Sequence, residues 1–96
     1  MFARTSSWQG STESIGLWAD HVQAKVGPMV EQLPGNAGAF FFVDRDDGRA
    51  LTLTLWLDET AAIASDAAAD QSREKTIAAT GIELRERGRW ELVARV

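Results

Sequence analysis

Leu33-Pro34-Gly35 opens a stretch that runs through Ala37–Val43, Asp44-Arg45-Asp46-Asp47-Gly48-Arg49 and Ala50–Leu57 to Asp58-Glu59-Thr60. It reads as helix end, strand, tight turn, strand and helix start. Pro34 and Gly35 cannot continue a helix, and Gly35 tolerates positive φ. Ala39-Phe40-Phe41-Phe42-Val43 is apolar at every position, the pattern of a strand buried on both faces. Asp46-Asp47-Gly48 supplies residues that tolerate a hairpin turn. The next strand alternates, with Leu51, Leu53, Leu55 and Leu57 on one side and Thr52, Thr54 and Trp56 on the other.

Upstream, Met1–Trp8 reads as a first strand. Gln9-Gly10-Ser11-Thr12 forms a turn and cap, with Glu13 at the positive end of the helix dipole. From Thr12 to Leu33 the residues Ile15, Trp18, Val22, Val26, Met29, Val30 and Leu33 recur at steps of three and four, one face of an amphipathic helix. Gly27-Pro28 predicts a kink near Val26, because proline lacks a donor and crowds the preceding turn. Downstream, Asp58 or Thr60 caps an alanine-rich second helix. It continues or breaks near Asp70, runs on through Gln71–Ala79, and stops at Thr80-Gly81. Ile82-Glu83-Leu84 reads as a short strand or its lead-in, Arg85-Glu86-Arg87-Gly88 as a turn, and Arg89–Val96 as the last strand.

The order is therefore β-α-β-β-α-β, an α+β ferredoxin-like fold within one domain, residues 1–96. Two helices cover one face of a four-stranded antiparallel sheet. The leucine row and the doubly apolar second strand call for cover on the other face, and a second copy of the chain is the simplest source. A homodimer with its sheets face to face is expected.

The 96 residues are 45% hydrophobic and 25% charged, with a net charge of −4. That composition is ordinary for a globular protein, and the acidic balance disfavours nucleic acid and anionic membranes as partners. The absence of cysteine excludes disulfides and thiolate chemistry and fits a reducing, cytoplasmic setting. Polar residues follow Met1-Phe2-Ala3-Arg4 where a signal peptide would need an apolar run, and no segment is long and apolar enough to span a bilayer.

Leu33-Pro34-Gly35 before an apolar strand, Asp47-Gly48 in the hairpin, Leu53-Thr54-Leu55-Trp56 leading into Asp58-Glu59-Thr60-Ala61, and Glu91-Leu92-Val93-Ala94-Arg95 at the end resemble the antibiotic-biosynthesis-monooxygenase type of dimeric α+β barrel. The resemblance spans nearly the whole chain. It implies a pocket between the sheet and its helices, lined by Trp56. It also implies either a cofactor-independent monooxygenase acting on a flat aromatic or polycyclic compound, or a non-catalytic small-ligand module of the same fold. The haem-degrading branch carries an asparagine on the first strand and a histidine on the second helix. Neither occurs here, so no cofactor is expected.

His21 is the only histidine, the residue type whose unperturbed pKa lies nearest neutrality. At the edge of the apolar helix face it is either a general base at the pocket mouth or a solvated side chain. Trp56 is either a ring for a flat ligand to pack against or a core tryptophan. Trp18 can oppose it across a pocket or simply fill the core. Thr54 and Arg4 are candidate polar contacts to a ligand. Trp8 and Trp90 are expected on outer strands as neighbours, in packing or dimer contacts. The alanine-rich helix either approaches the sheet closely or leaves an apolar void. Asp44, Asp46 and Asp47 lack the spacing of a calcium loop, so no metal site is expected. The serines lack a partner base for hydrolysis.

Overall fold

The computed structural model describes Met1–Val96. Strands β1 (Phe2–Gln9), β2 (Asn36–Asp44), β3 (Arg49–Trp56) and β4 (Glu83–Glu91) form one antiparallel sheet in the order β2-β3-β1-β4. One helical arm joins β1 to β2 and comprises α1 (Thr12–His21), a π-helical turn (Val22–Val26) and α2 (Gly27–Glu31). The second joins β3 to β4 and comprises α3 (Glu59–Ala64) and α4 (Asp66–Thr80). Both arms lie on one face of the sheet, so the ferredoxin-like βαββαβ expectation is met.

The kink anticipated at Gly27-Pro28 is a change of hydrogen-bond register. The Gly27 N–H donates to the Val22 carbonyl five residues back, so the ladder slips by one residue just before a proline that has no N–H to give. The arm ends at Glu31, two residues earlier than the apolar periodicity suggested. Ser11 caps α1 by accepting from the Ser14 N–H, and Asp58 caps α3 by accepting from the Ala61 N–H at 2.8 Å. In the β2–β3 turn Gly48 has φ +65, and a Cβ there would run into the Gly10 carbonyl oxygen. Only glycine fits both conditions.

The second half of the chain departs from expectation at two points. The break in the second arm falls at Ser65, not near Asp70. Arg4 reaches up from β1, and its guanidinium takes the Ala62 carbonyl at 2.6 Å, while the Ser65 hydroxyl donates to the same oxygen at 2.7 Å. A carbonyl with those partners marks the end of α3. The last strand is Glu83–Glu91, so Arg85-Glu86-Arg87-Gly88 lies inside it and residues 92–96 follow it. That run alternates like any strand. Arg87 and Arg89 turn toward aspartates on α4, and Gly88 makes room for the Trp90 indole, which donates to Thr5 at 2.8 Å.

The helix-facing core contains Trp8, Ile15, Trp18, Val22, Ala50 and Ile82. Trp18 lies 6.4 Å from Trp8 and meets Phe41 edge-on at 6.2 Å between ring centroids. Trp8 and Trp90 are therefore not neighbours. β1 is an inner strand, Trp8 points into the core, and Trp90 stands on the opposite face, 60% exposed. That opposite face carries Phe40, Phe42, Leu51, Leu53 and Trp90 on adjacent strands, with Phe42 50% exposed in the single chain. No helix is long and apolar enough to cross a membrane.

Candidate functional site

The even positions of β1 and β3 point at the helices, so pleating brings Arg4, Ser6 and Trp8 alongside Thr52, Thr54 and Trp56. A cavity of about 50 Å³ remains between these strands and the helical arms. It has room for only a few water molecules and is well below the roughly 300–1,000 Å³ of a site for a drug-sized molecule. Trp8, Trp18 and Trp56 all line it, together with Val22, Val26, Met29 and Val30 from the first arm and Leu33 just beyond it. The void that the alanine run left open is thus present, though small. The face of α4 turned inward is mostly polar: Ser72, Arg73 and Thr76, with Ala69, line the same space.

Of the residues singled out in the sequence, Arg4, Trp18, Thr54 and Trp56 come together here. The Trp56 indole donates to the Thr54 hydroxyl at 3.0 Å, and the Arg4 guanidinium stands 5.5 Å from the centroid of the Trp56 ring. Arg4 is itself buried, donating to Ser65 Oγ at 2.7 Å, to the Ala62 carbonyl and to Asp66. These bonds fix its planar fork rather than leaving it free to follow a ligand. The Trp8 indole donates to Thr52 at 3.3 Å. Trp18 is as fully buried as Trp56, and it differs from the other three tryptophans in that its Nε1–H has no hydrogen-bond partner. An unmet buried donor costs about 1–3 kcal/mol, so the position asks for an acceptor.

His21 is placed elsewhere. It closes α1 and lines an outer groove between the two arms, together with Lys25, Gln71 and Lys75. Val26, Met29, Leu33 and Ser72 border both this groove and the cavity. His21 stands on the outer side of that wall and Trp56 on the inner side. No histidine, aspartate or glutamate lines the cavity. Its polar groups are hydroxyls, indole N–H groups and two arginines, a set that stabilises an oxyanion and has no base to generate one.

Residues that the sequence did not single out also border the site. Ser65 sits at the helix break and Arg73 on α4. Arg73 is three residues after Asp70 and reads in sequence as half of a solvated ion pair, yet its side chain is only 14% exposed.

Asp66 accepts from Arg89 at 2.6 and 2.7 Å and from Arg4. The Arg89 hydrogen bonds, with smaller help from Arg4, hold its carboxyl below the usual value of 3.8 despite some desolvation. The stabilisation is therefore complete at pH values above 3.8 and is lost as pH falls through the lower folded-state value. Urea unfolding of wild type and Asp66→Asn should show a stability gap that is constant from about pH 7 to 5 and narrows below about pH 4. A gap unchanged down to about pH 2.5 would contradict this.

No family model matches the sequence, and no curated protein matches it. Solved structures do match. A monooxygenase of Streptomyces coelicolor in complex with nanaomycin D aligns with TM-score 0.77 at 12% identity, over 99% of this chain and 89% of that one. SnoaB, a cofactor-independent oxygenase from Streptomyces nogalater, aligns with TM-score 0.72 at 15% identity, over 99% and 95%. A dimeric ferredoxin-like protein from an uncultured marine organism aligns with TM-score 0.76 at 13% identity, over 99% and 96%. Identities this low speak to the fold, and over essentially its whole length the chain has the ferredoxin-like α+β fold of the antibiotic biosynthesis monooxygenases.

Proposed function

We propose that the chain, as a single domain over residues 1–96, binds a flat aromatic or polycyclic molecule between sheet and helices and acts as a cofactor-independent monooxygenase. The observation that carries the reading is Trp18, which lines a cavity bounded by three tryptophans and whose buried Nε1–H has no hydrogen-bond partner. A quinone or phenol oxygen would accept from it, while Trp56 offers a ring face and Arg4 a nearby positive charge. The complex with nanaomycin D and the cofactor-independent oxygenase of the same fold support the choice of ligand class and reaction. In such a reaction O2 is the oxidant and the substrate supplies the electrons, one oxygen atom entering the product and the other leaving as water. The chain's own part would be to bind the ionised substrate, hold its ring plane and exclude water. Entry requires the arms to part, and Met29, flexible and shared by cavity and groove, is the side chain best suited to yield.

One observation favours a second reading, a non-catalytic binding module: no general base reaches the cavity. We also propose a homodimer formed through the exposed apolar sheet face, in a reducing, cytoplasmic setting consistent with the absence of cysteine. A dimeric protein of the same fold supports the assembly.

Titration with 1,4-naphthoquinone and with a flavonoid, read by tryptophan quenching, tests the pocket. Saturable quenching weakened about tenfold in Trp56→Phe is expected. Identical curves for the two proteins would move the ligand away from Trp56. Oxygen uptake with a bound quinol separates enzyme from binder.

A further inference from the structure

Resting on that reading of the cavity, we propose that the ligand carries a carboxylate, which Arg73 and Arg87 hold in the groove between α4 and β4. The groove measures about 380 Å³ and is lined by Arg4, Arg73, Arg87 and Arg89 against Asp66 and Asp70, with Gly88 and no apolar side chain. Four cations face two anions on a chain whose net charge is −4. This is a local reversal of the protein's own field.

The charges are unevenly spent. Asp66 takes both of its strong partners from Arg89 and Arg4. Arg73 and Arg87 are left to share a single oxygen of Asp70, at 3.1 and 3.9 Å, and Asp70 itself is 62% exposed. Arg73 is nevertheless mostly buried. Desolvation, together with the positive charges of Arg4 and Arg87, pushes its pKa below the usual value. A buried guanidinium with one weak partner has donors to spare, and a planar carboxylate matches its fork.

Arg73 also connects two spaces. It and Arg4 are the two side chains that line both the groove and the tryptophan cavity. With Arg4 fixed by three partners, Arg73 is the residue able to take an acid group at the cavity's polar end while the rings lie against Trp56. In a solvated surface network Arg73 would stand out in water instead.

The test compares 2-naphthoic acid with methyl 2-naphthoate, which share a ring system and differ in charge. Dissociation constants are measured by tryptophan quenching for wild type, Arg73→Met and Arg87→Gln. In wild type at low salt the acid should bind about tenfold or more tightly than the ester, and this preference should shrink as salt rises. Arg73→Met should abolish the preference for the acid over the ester, read as the ratio of the two dissociation constants in the same variant. Arg87→Gln, changed at an exposed position, should lose part of the preference without a change in fold. Equal binding of acid and ester to wild type would overturn the carboxylate assignment and leave the cavity reading standing. A preference that survives both substitutions would also overturn it. Failure of both compounds to bind wild type would remove the assignment and the cavity reading together.

Discussion

Arg4→Met is expected to lower the unfolding free energy by about 2–3 kcal/mol, with an unchanged denaturant slope and a melting temperature lower by roughly 10 °C or more. Arg4 joins the middle of the sheet to the junction of α3 and α4 through Ser65, Ala62 and Asp66. Methionine keeps the aliphatic volume and none of the donors. The estimate stays below that for a fully buried ion pair because Asp66 is partly exposed and retains Arg89. Arg4→Lys should recover only part of the loss, since one ammonium cannot meet three acceptors arranged around a planar fork. A melting curve for Arg4→Met that overlays wild type would show that the junction is held by α3 and α4 packing alone.

The second large effect concerns assembly. Phe42→Lys combined with Leu51→Lys places two added charges on each copy, directly opposite one another across β2 and β3. In a two-fold interface all four meet a self-complementary surface. Losing the burial of four large apolar side chains, with like charges in their place, should raise the dimer dissociation constant about a thousandfold or more. Sedimentation equilibrium at micromolar concentration should find a dimer for wild type and a monomer for the variant. Thermal stability of the separated chain should change little, because both positions are exposed in it. A wild-type monomer would exclude the dimer. A double variant that still pairs would place the interface elsewhere.

The β2–β3 hairpin was legible because its signals are local. Alternation fixes which side of β3 faces the helices, Gly48 serves the turn, and Asp58 caps the next helix. The same alternation placed Trp56 and Thr54 on the helix side. What escaped reading depends on distant partners. The helix break at Ser65 exists because Arg4, 61 residues away in sequence, bonds to its hydroxyl and to the Ala62 carbonyl. Arg85–Gly88 looks like a turn by composition, yet it is continuous strand, with Arg87 reaching Asp70 on α4 and the glycine lying under Trp90. Arg73 escaped for a related reason. The stripe Ala69, Ser72, Arg73 and Thr76 has helical spacing, but polar residues at that spacing read as a solvated face. His21 sits near Trp18 along the helix, and the groove it faces is visible only once α4 is in place.

The most direct test of the central claim is to follow the four indole N–H signals by ¹H–¹⁵N correlation, assigned through single Trp→Phe variants, as 1,4-naphthoquinone is added. Three of these groups already donate to Thr52, Thr54 and Thr5, and Trp18 alone is unpartnered. The account predicts a saturable downfield shift that is largest for Trp18 and smaller for Trp56 and Trp8, with Trp90 on the far face unmoved until a dimer contact changes. A shift confined to Trp90, or no shift at any indole up to saturation of the quinone, would contradict a ligand site between the sheet and the helices.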